Sequence, residues 1–509
     1  MQKVITVSLS AFVLAAFTGC ATVDPRPDYQ IATEQIFQTT GQKDVYHPGD
    51  DEIVARKVKE LLRDGITANQ AVQICLLNNP SLQAAFYEIG MARADVVQSG
   101  LLSNPSLGLS LRLPAGGGLA NLEADLAQNI ADLWQIPVRK RIARHKLNQV
   151  ILQIARQAAD LAADAKISYY DTVGTIQLHE ISKQNVDLAQ QLLDMTLARQ
   201  KAGEASALDV NLSRSFLLEK QLDAESARLA AADARRNLAR ILGITQNADQ
   251  LDLKDCLPEI PPKLPDAERL IELACVYCLD MQAARQAVAV AESRLEQEYR
   301  RIFPTLEVGL ALERSERQSQ GGRDILADTA RASIANGGLT APKIQPRSER
   351  RRNTDFIIGP SLGMELPIFD QNQAQIAKAR YAYEQAVKTA EGLRLAAYQE
   401  VRSAVDNVLT TWKLAQTYRD RSLPLAQNSL KLSMQAYRAG QASFLAVLEA
   451  ERFSLNNRSQ AAEAARTAAI TIADMERTMC VPFDKLIAQA ETETKPITQP
   501  DNTSNGADQ

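Results

Sequence analysis

The residues with the most chemical potential in this chain are its cysteines. Cys275-Val-Tyr-Cys278 has the spacing of a redox or zinc pair. A zinc site would need two further ligands, and the three histidines, His47, His145 and His179, are far apart in sequence. Cys278 also continues a helical pattern with Leu270, Leu273 and Ala274, so the pair reads as cysteines on a helix face. No Ser/His/Asp arrangement, phosphate-binding glycine loop or metal-spaced histidine cluster is apparent, so neither an enzyme nor a resident cofactor is predicted. The basic run Arg347-Ser-Glu-Arg-Arg-Arg352 sits in a polar segment between two alternating stretches and reads as a solvated loop. With 57 basic against 61 acidic residues, the chain has no nucleic-acid signature.

Cys20 suggests another chemistry. Lys3 is a positive start, Val4 to Phe17 is an apolar run too short to span a bilayer, and Phe17-Thr18-Gly19-Cys20 closes it. The layout resembles a bacterial lipobox, with Phe17 where Leu is usual. The resemblance implies a signal peptide over 1–19, a lipid on Cys20 and, with Ala21 following, residence at the outer membrane. Five other cysteines remain, an odd number that argues against a full disulfide framework in an oxidising compartment.

The elements that must position any function come from composition and self-comparison. Of 509 residues only 5% are aromatic, which suits long helices packed through small side chains better than several globules. Leu82-Gln-Ala-Ala85 returns as Met281-Gln-Ala-Ala284, and Asn104-Pro105-Ser106-Leu107 returns as Phe303-Pro304-Thr305-Leu306, both at an offset of 199. Ala202-Gly203-Glu-Ala-Ser206-Ala-Leu208 returns as Ala439-Gly440-Gln-Ala-Ser443-Phe-Leu445 at an offset of 237. The chain therefore divides into an N-terminal segment (20–67), a first repeat (68–257), a Pro-rich linker (258–265), a second repeat (266–480) and a tail (481–509) whose end reads as disordered.

Each repeat runs helix, strand pair, long helix, turn, helix. Residues 68–103 and 266–302 are helical by pattern. Strands are expected at about 105–113, 120–131, 304–313 and 355–369, where Leu107, Leu109, Leu111 and Leu113 typify a strict alternation. Such segments fit either a half-buried soluble sheet or a membrane barrel. Residues 139–200 then hold a coiled-coil seam through Ile151, Ile154, Ala158, Leu161, Ala165 and Ser168, spanning roughly 93 Å at ~1.5 Å per residue. Its counterpart, about 371–437, should kink at Pro424. Gly203 and Gly440 mark the reversals into partner helices at 206–242 and 443–479.

Four membrane strands cannot close a barrel alone, and open edges in lipid cost several kcal/mol per unpaired group, so protomers must pool them. Eight strands leave room only for side chains, whereas twelve leave a lumen suited to Glu123, Asp125, Glu307 and Glu365.

The duplication, the paired strand starts, Gly359-Pro-Ser-Leu-Gly-Met-Glu-Leu-Pro-Ile-Phe369 and the two Ala-Gly turns together resemble the TolC-type outer membrane factors. The resemblance implies a mainly α fold with a small membrane β-barrel. Long antiparallel coiled-coil helices would form a periplasmic tunnel, and four strands per protomer would be pooled into a twelve-stranded barrel in a homotrimer. It further implies an exit duct of a tripartite efflux pump that passes small toxic compounds or metal ions, partnered by a periplasmic adaptor and an inner-membrane transporter. A type I protein secretion duct and a non-channel, lipid-anchored coiled-coil scaffold are the alternatives. By resemblance, Gly203 and Gly440 would be periplasmic turns and adaptor-docking points, and Asp209, Tyr437 and Glu449 would gate the aperture. The family's other acidic and basic aperture positions fall on Ala446 and Ala442, with Arg438 as a stand-in.

Overall fold

A computed structural model describes residues 21–113, 120–245, 251–258, 278–302, 306–316, 329–340, 354–483 and 485. The expectations for the leader and Cys20, for Cys275, for most of the Pro-rich linker, for the Arg347–Arg352 run and for the end of the tail lie outside these residues. By packing, the chain forms two units, and each takes residues from both repeats: 1–94, 145–288 and 385–509 in one, and 95–144 and 289–384 in the other.

The first unit is built from helices, several of which run on into residues of the second. The N-terminal segment folds as α1 (Arg26–Thr40) and α2 (Asp51–Leu61). They are followed by α3 (Ala68–Asn78) and α4 (Pro80–Ser99). The expected single helix over 68–103 is thus two. Pro80 cannot continue the α3 ladder and holds Asn79 extended (ψ 119°), while Asn79 Oδ1 accepts from Ser81 N at 2.9 Å and caps α4. Two long hairpins follow. One is α5 (Asp132–Lys201) with α6 (Ala207–Ile241). The other is α8 (Gln373–Thr417), continued as α9 (Leu423–Arg438), with α10 (Phe444–Met479). Between these hairpins in sequence lies α7 (Leu279–Arg300), within the helix expected over 266–302, whose first part lies outside the described residues.

Pro424 produces a local change of winding. Residues Tyr418–Ser422 form a π-turn just ahead of it, and the Leu423 N–H reaches the Tyr418 carbonyl five residues back. Widening the helix by one residue accommodates a proline that has no N–H to give.

Small side chains let these helices approach, as composition foretold. Ala155, Ala158, Ala159, Ala162, Ala163 and Ala165 are all buried along α5. Three ion pairs run along its seam with α10: Asp164 with Arg477 at 2.5 Å, Lys166 with Glu476 at 2.6 Å, and Asp171 with Arg466. Near the turns, Ala189 and Leu192 of α5, Phe216 of α6, Tyr437 of α9 and Phe444, Val447, Leu448 and Leu455 of α10 share one apolar cluster.

The second unit holds an antiparallel four-stranded sheet in the order β1 (Ser106–Arg112), β2 (Asn121–Asn129), β3 (Leu306–Glu316) and β4 (Thr354–Met364). All four strands fall where alternation placed them, with shifted ends. β2 stops at Asn129 rather than 131, and β3 runs on to Glu316 rather than ending at 313. The fourth strand ends at Met364 rather than 369, because beyond it Leu366-Pro367 leaves the ladder and an Asn372 with φ 62° turns the chain into α8.

Candidate functional site

The sheet is the first functional element, and its two faces differ sharply. Register sets Leu107, Leu126, Leu310 and Pro360 in one row, and Leu109, Ala124, Leu312 and Ile358 in the next. Gln128, Val308 and Leu362 lie below these rows, with Leu306 and Met364 beneath, while Leu111, Leu122, Arg314 and Phe356 lie above. Among the described residues nothing covers this apolar face: Leu107 is 66% exposed, Leu109 70% and Leu362 73%. Five contiguous rows of open apolar side chains, far more than a soluble monomer leaves bare, mark a face built for an apolar partner. From Leu306 to Leu312 the face extends about 20 Å along the strand.

The opposite face carries charge. Glu123 stands across from Glu313, and Asp125 across from Ala311, with Gly108 on its other side. A Cβ on Gly108 would collide with the Asp125 carboxylate, so glycine is what lets the carboxylate lie over β1. Arg112 pairs with Glu123 at 2.9 Å, and Glu307 and Glu313 add to an acidic excess. Two like charges directly opposite each other are tolerable only where water reaches them. Glu365 lies just past the end of β4. Among the described residues, β1 and β4 each pair on one side only.

The hairpin turns are the second element. Gly203 has φ +81° and Gly440 φ +67°, with open space around both, so the left-handed backbone is what requires glycine. Beyond each turn a serine caps the next helix: Ser206 before α6 and Ser443 before α10. Asp209 belongs to this capping. Its Oδ2 accepts from Ser206 N at 2.8 Å and Ser206 Oγ at 2.9 Å, while its own N–H donates back to Ser206 Oγ at 3.1 Å.

Tyr437 is buried against Phe444, and the Arg199 guanidinium of α5 lies 4.1 Å above its ring. Burial pushes the Tyr437 hydroxyl above its usual range, partly opposed by Arg199. Glu449 is largely exposed, and Arg452 one turn on is 3.9 Å away. Arg452 reaches further, pairing with Glu219 of α6 at 3.3 Å and covering the Phe216 ring at 5.4 Å. The three residues singled out by resemblance thus share the turn region of the helical unit, where the Asp209 carboxylate adds to the rise of the Tyr437 hydroxyl. Arg438 is exposed and has no ion pair among the described residues. The side chains that join the hairpins there, Arg199 and Arg452, were not singled out in the sequence. The only signal for the second was its i,i+3 spacing from Glu449.

A cavity of about 480 Å³ opens behind this region, lined by Leu192, Met195, Met434, Arg438, Arg458 and Glu451. Among the described residues, no three His, Cys, Asp or Glu side chains are grouped to hold a metal, and no helix is long and apolar enough to cross a membrane.

Known proteins share this architecture. Residues 270–479 match the family described as outer membrane efflux protein. Nodulation protein T of Rhizobium leguminosarum bv. viciae is 24% identical over 76% of each chain. The cobalt-zinc-cadmium resistance protein CzcC of Cupriavidus metallidurans is 21% identical over 76% of this chain and 83% of its own. The toluene efflux pump outer membrane protein TtgC of Pseudomonas putida is 21% identical over 89% and 90%. Among solved structures, the outer-membrane channel OprN superposes with a TM-score of 0.63 at 18% identity, over 87% of this chain and 95% of that one. Vibrio cholerae VceC gives 0.61 at 16% identity, over 82% and 96%. The sheet, the paired hairpins and the matched second repeat agree in making the chain similar to the outer membrane efflux protein family.

Proposed function

We propose that the protein is the outer membrane exit duct of a tripartite efflux pump, passing small toxic compounds or metal ions from the periplasm to the exterior. The observation that carries this reading is the sheet, which among the described residues has an open apolar face, an acidic opposite face and two unpaired edges. In lipid those edges must be paired. β1 and β4 run in opposite directions, so β4 of one copy can pair antiparallel with β1 of the next, and three copies give twelve strands with the carboxylates toward water. The duct performs no chemistry. An adaptor and an energised inner-membrane transporter supply the work, and rings of Glu123, Asp125, Glu307 and Glu313 favour cations in the lumen.

In the same reading Cys20 carries the lipid anchor, the Gly203 and Gly440 turns meet the adaptor, and Asp209, Tyr437 and Glu449 surround the aperture. The capping of α6 decides how Asp209 is tested. Asp209→Ala would remove both the charge and the cap, whereas Asp209→Asn keeps an acceptor for the Ser206 N–H and removes the charge alone. A gating role predicts altered conductance for Asp209→Asn, and unchanged conductance rejects it. The function itself is tested by deleting the gene in its host and measuring susceptibility to toxic organic compounds and divalent metals. Greater sensitivity restored by the gene supports the duct, and unchanged susceptibility to both classes counts against efflux.

A further inference from the structure

The duplication brings two cysteines to one place. In each repeat the start of one helix meets the end of another: α4 with α6 in the first, and the corresponding α7 with α10 in the second. The first junction is a polar clasp. Asn79, just before α4, donates from Nδ2 to the Ile241 carbonyl at 2.9 Å, and Asn78 Nδ2 donates to the carbonyls of Leu242 and Gly243 at 2.9 and 3.0 Å. Gly243 has φ +68°, and a Cβ there would run into the Asn78 backbone.

The offset of 199 that maps Pro80, the first residue of α4, onto Leu279, the first residue of α7, maps Asn79 onto Cys278. The offset of 237 that maps Ser206 onto Ser443 maps Gly243 onto Cys480, which shares its left-handed backbone at φ 52°. Two positions of the first repeat's clasp are therefore occupied by thiols in the second. Both are buried and unbonded in the structure. The Arg156 guanidinium spans the same junction, with Nε 3.2 Å from Asp280 in the first turn of α7 and Nη1 donating to Cys480 Sγ at 3.0 Å. Burial raises both thiols, and for Cys278 the Cys480 sulfur adds to the rise, as expected of groups close enough to interact.

We propose that Cys278 and Cys480 are the two halves of a disulfide that closes the second repeat where asparagines close the first. Each thiol gives up its proton, the bond forms between the two Sγ atoms, and two electrons pass to the disulfide of a thiol-exchange protein or of oxidised glutathione, which leaves as two thiols. In the cell this rests on the envelope location proposed above, because the cytosol would keep the thiols reduced.

The test is a peptide map of the full-length protein, alkylated on lysis, purified from the outer-membrane fraction and digested with trypsin without reduction. The expected product joins peptide 270–285 to peptide 478–485, with fragmentation placing the link on Cys278, and reduction separates them. A link from Cys275 to Cys278 or from Cys275 to Cys480 overturns the assignment. So do free thiols at both 278 and 480 that persist when protein purified without alkylation is incubated with oxidised glutathione and only then alkylated. If the protein fractionates away from the membrane, the location fails while the glutathione arm still decides the disulfide.

Discussion

Leu310 occupies the middle of the five apolar rows, between Leu126 on β2 and Pro360 on β4, and half of it is exposed. If that face meets lipid, Leu310→Arg puts a cation near mid-membrane, at a cost of about 2–4 kcal/mol per protomer. At ~1.4 kcal/mol per tenfold, the folding equilibrium constant falls roughly thirtyfold to several hundredfold, and an assembly of three copies bears the cost three times. The adjacent residue supplies the control. Ala311 points to the other face and stands across from Asp125, so Ala311→Arg places the same cation beside a carboxylate in water and should change stability by only about 0.5 kcal/mol. Denaturant titration of folding into phospholipid vesicles, read by the loss of the heat-modifiable assembled band, measures both. A Leu310→Arg variant that folds within about 0.5 kcal/mol of the parent, or an Ala311→Arg variant that loses as much, would refute the assignment of the two faces.

Three further outcomes follow from the helical unit. Ser206→Ala should lower stability by about 1 kcal/mol by freeing two capping bonds at the start of α6, measurable as a lower Tm, and Ser206→Asp should recover most of it. Lys166→Met strands Glu476 in a seam where the two side chains are only 17% and 13% exposed, at a cost of roughly 1–3 kcal/mol by denaturant melting. A loss no larger than that of an exposed pair such as Lys388–Glu391 would contradict a structural role for the seam. Glu451 is 4% exposed, and burial raises its carboxyl above the usual 4.5, with Arg458 opposing. The folded protein then holds a proton that the unfolded chain has released, so this group's contribution falls as pH rises above about 4.5. Glu451→Gln should melt above the parent at pH 7 and level with it at pH 4, and a pH-independent difference would contradict the assignment.

The parts of the fold that sequence revealed are those with a strict period. The leucines at 107, 109 and 111 alternate because the two sides of their sheet face different media, and no helix could keep that pattern on one face. Gly203 and Gly440 were readable because left-handed turns favour glycine. The break at Asn79-Pro80 and the π-turn before Pro424 were less visible, since a proline signals a disturbance without saying whether the helix ends, kinks or rewinds. Least visible were Arg199 over Tyr437 and Arg452 over Phe216. Those contacts depend on the rotational phase of two long helices from different repeats, which apolar spacing within either helix does not specify. Asp209 shows the converse. Its Ser-x-x-Asp spacing has a local role, capping α6, that is complete before any gating is considered.

The central claim is that copies of this chain pool their strands into a water-filled barrel with an acidic lumen. Single-channel recording of the purified protein in planar bilayers tests it most directly. Discrete, cation-selective openings are expected, with a selectivity that weakens in a Glu123→Gln/Glu313→Gln variant that inserts as well as the parent. A protein that assembles in the bilayer yet passes no current, or a selectivity indifferent to those two carboxylates, would contradict it.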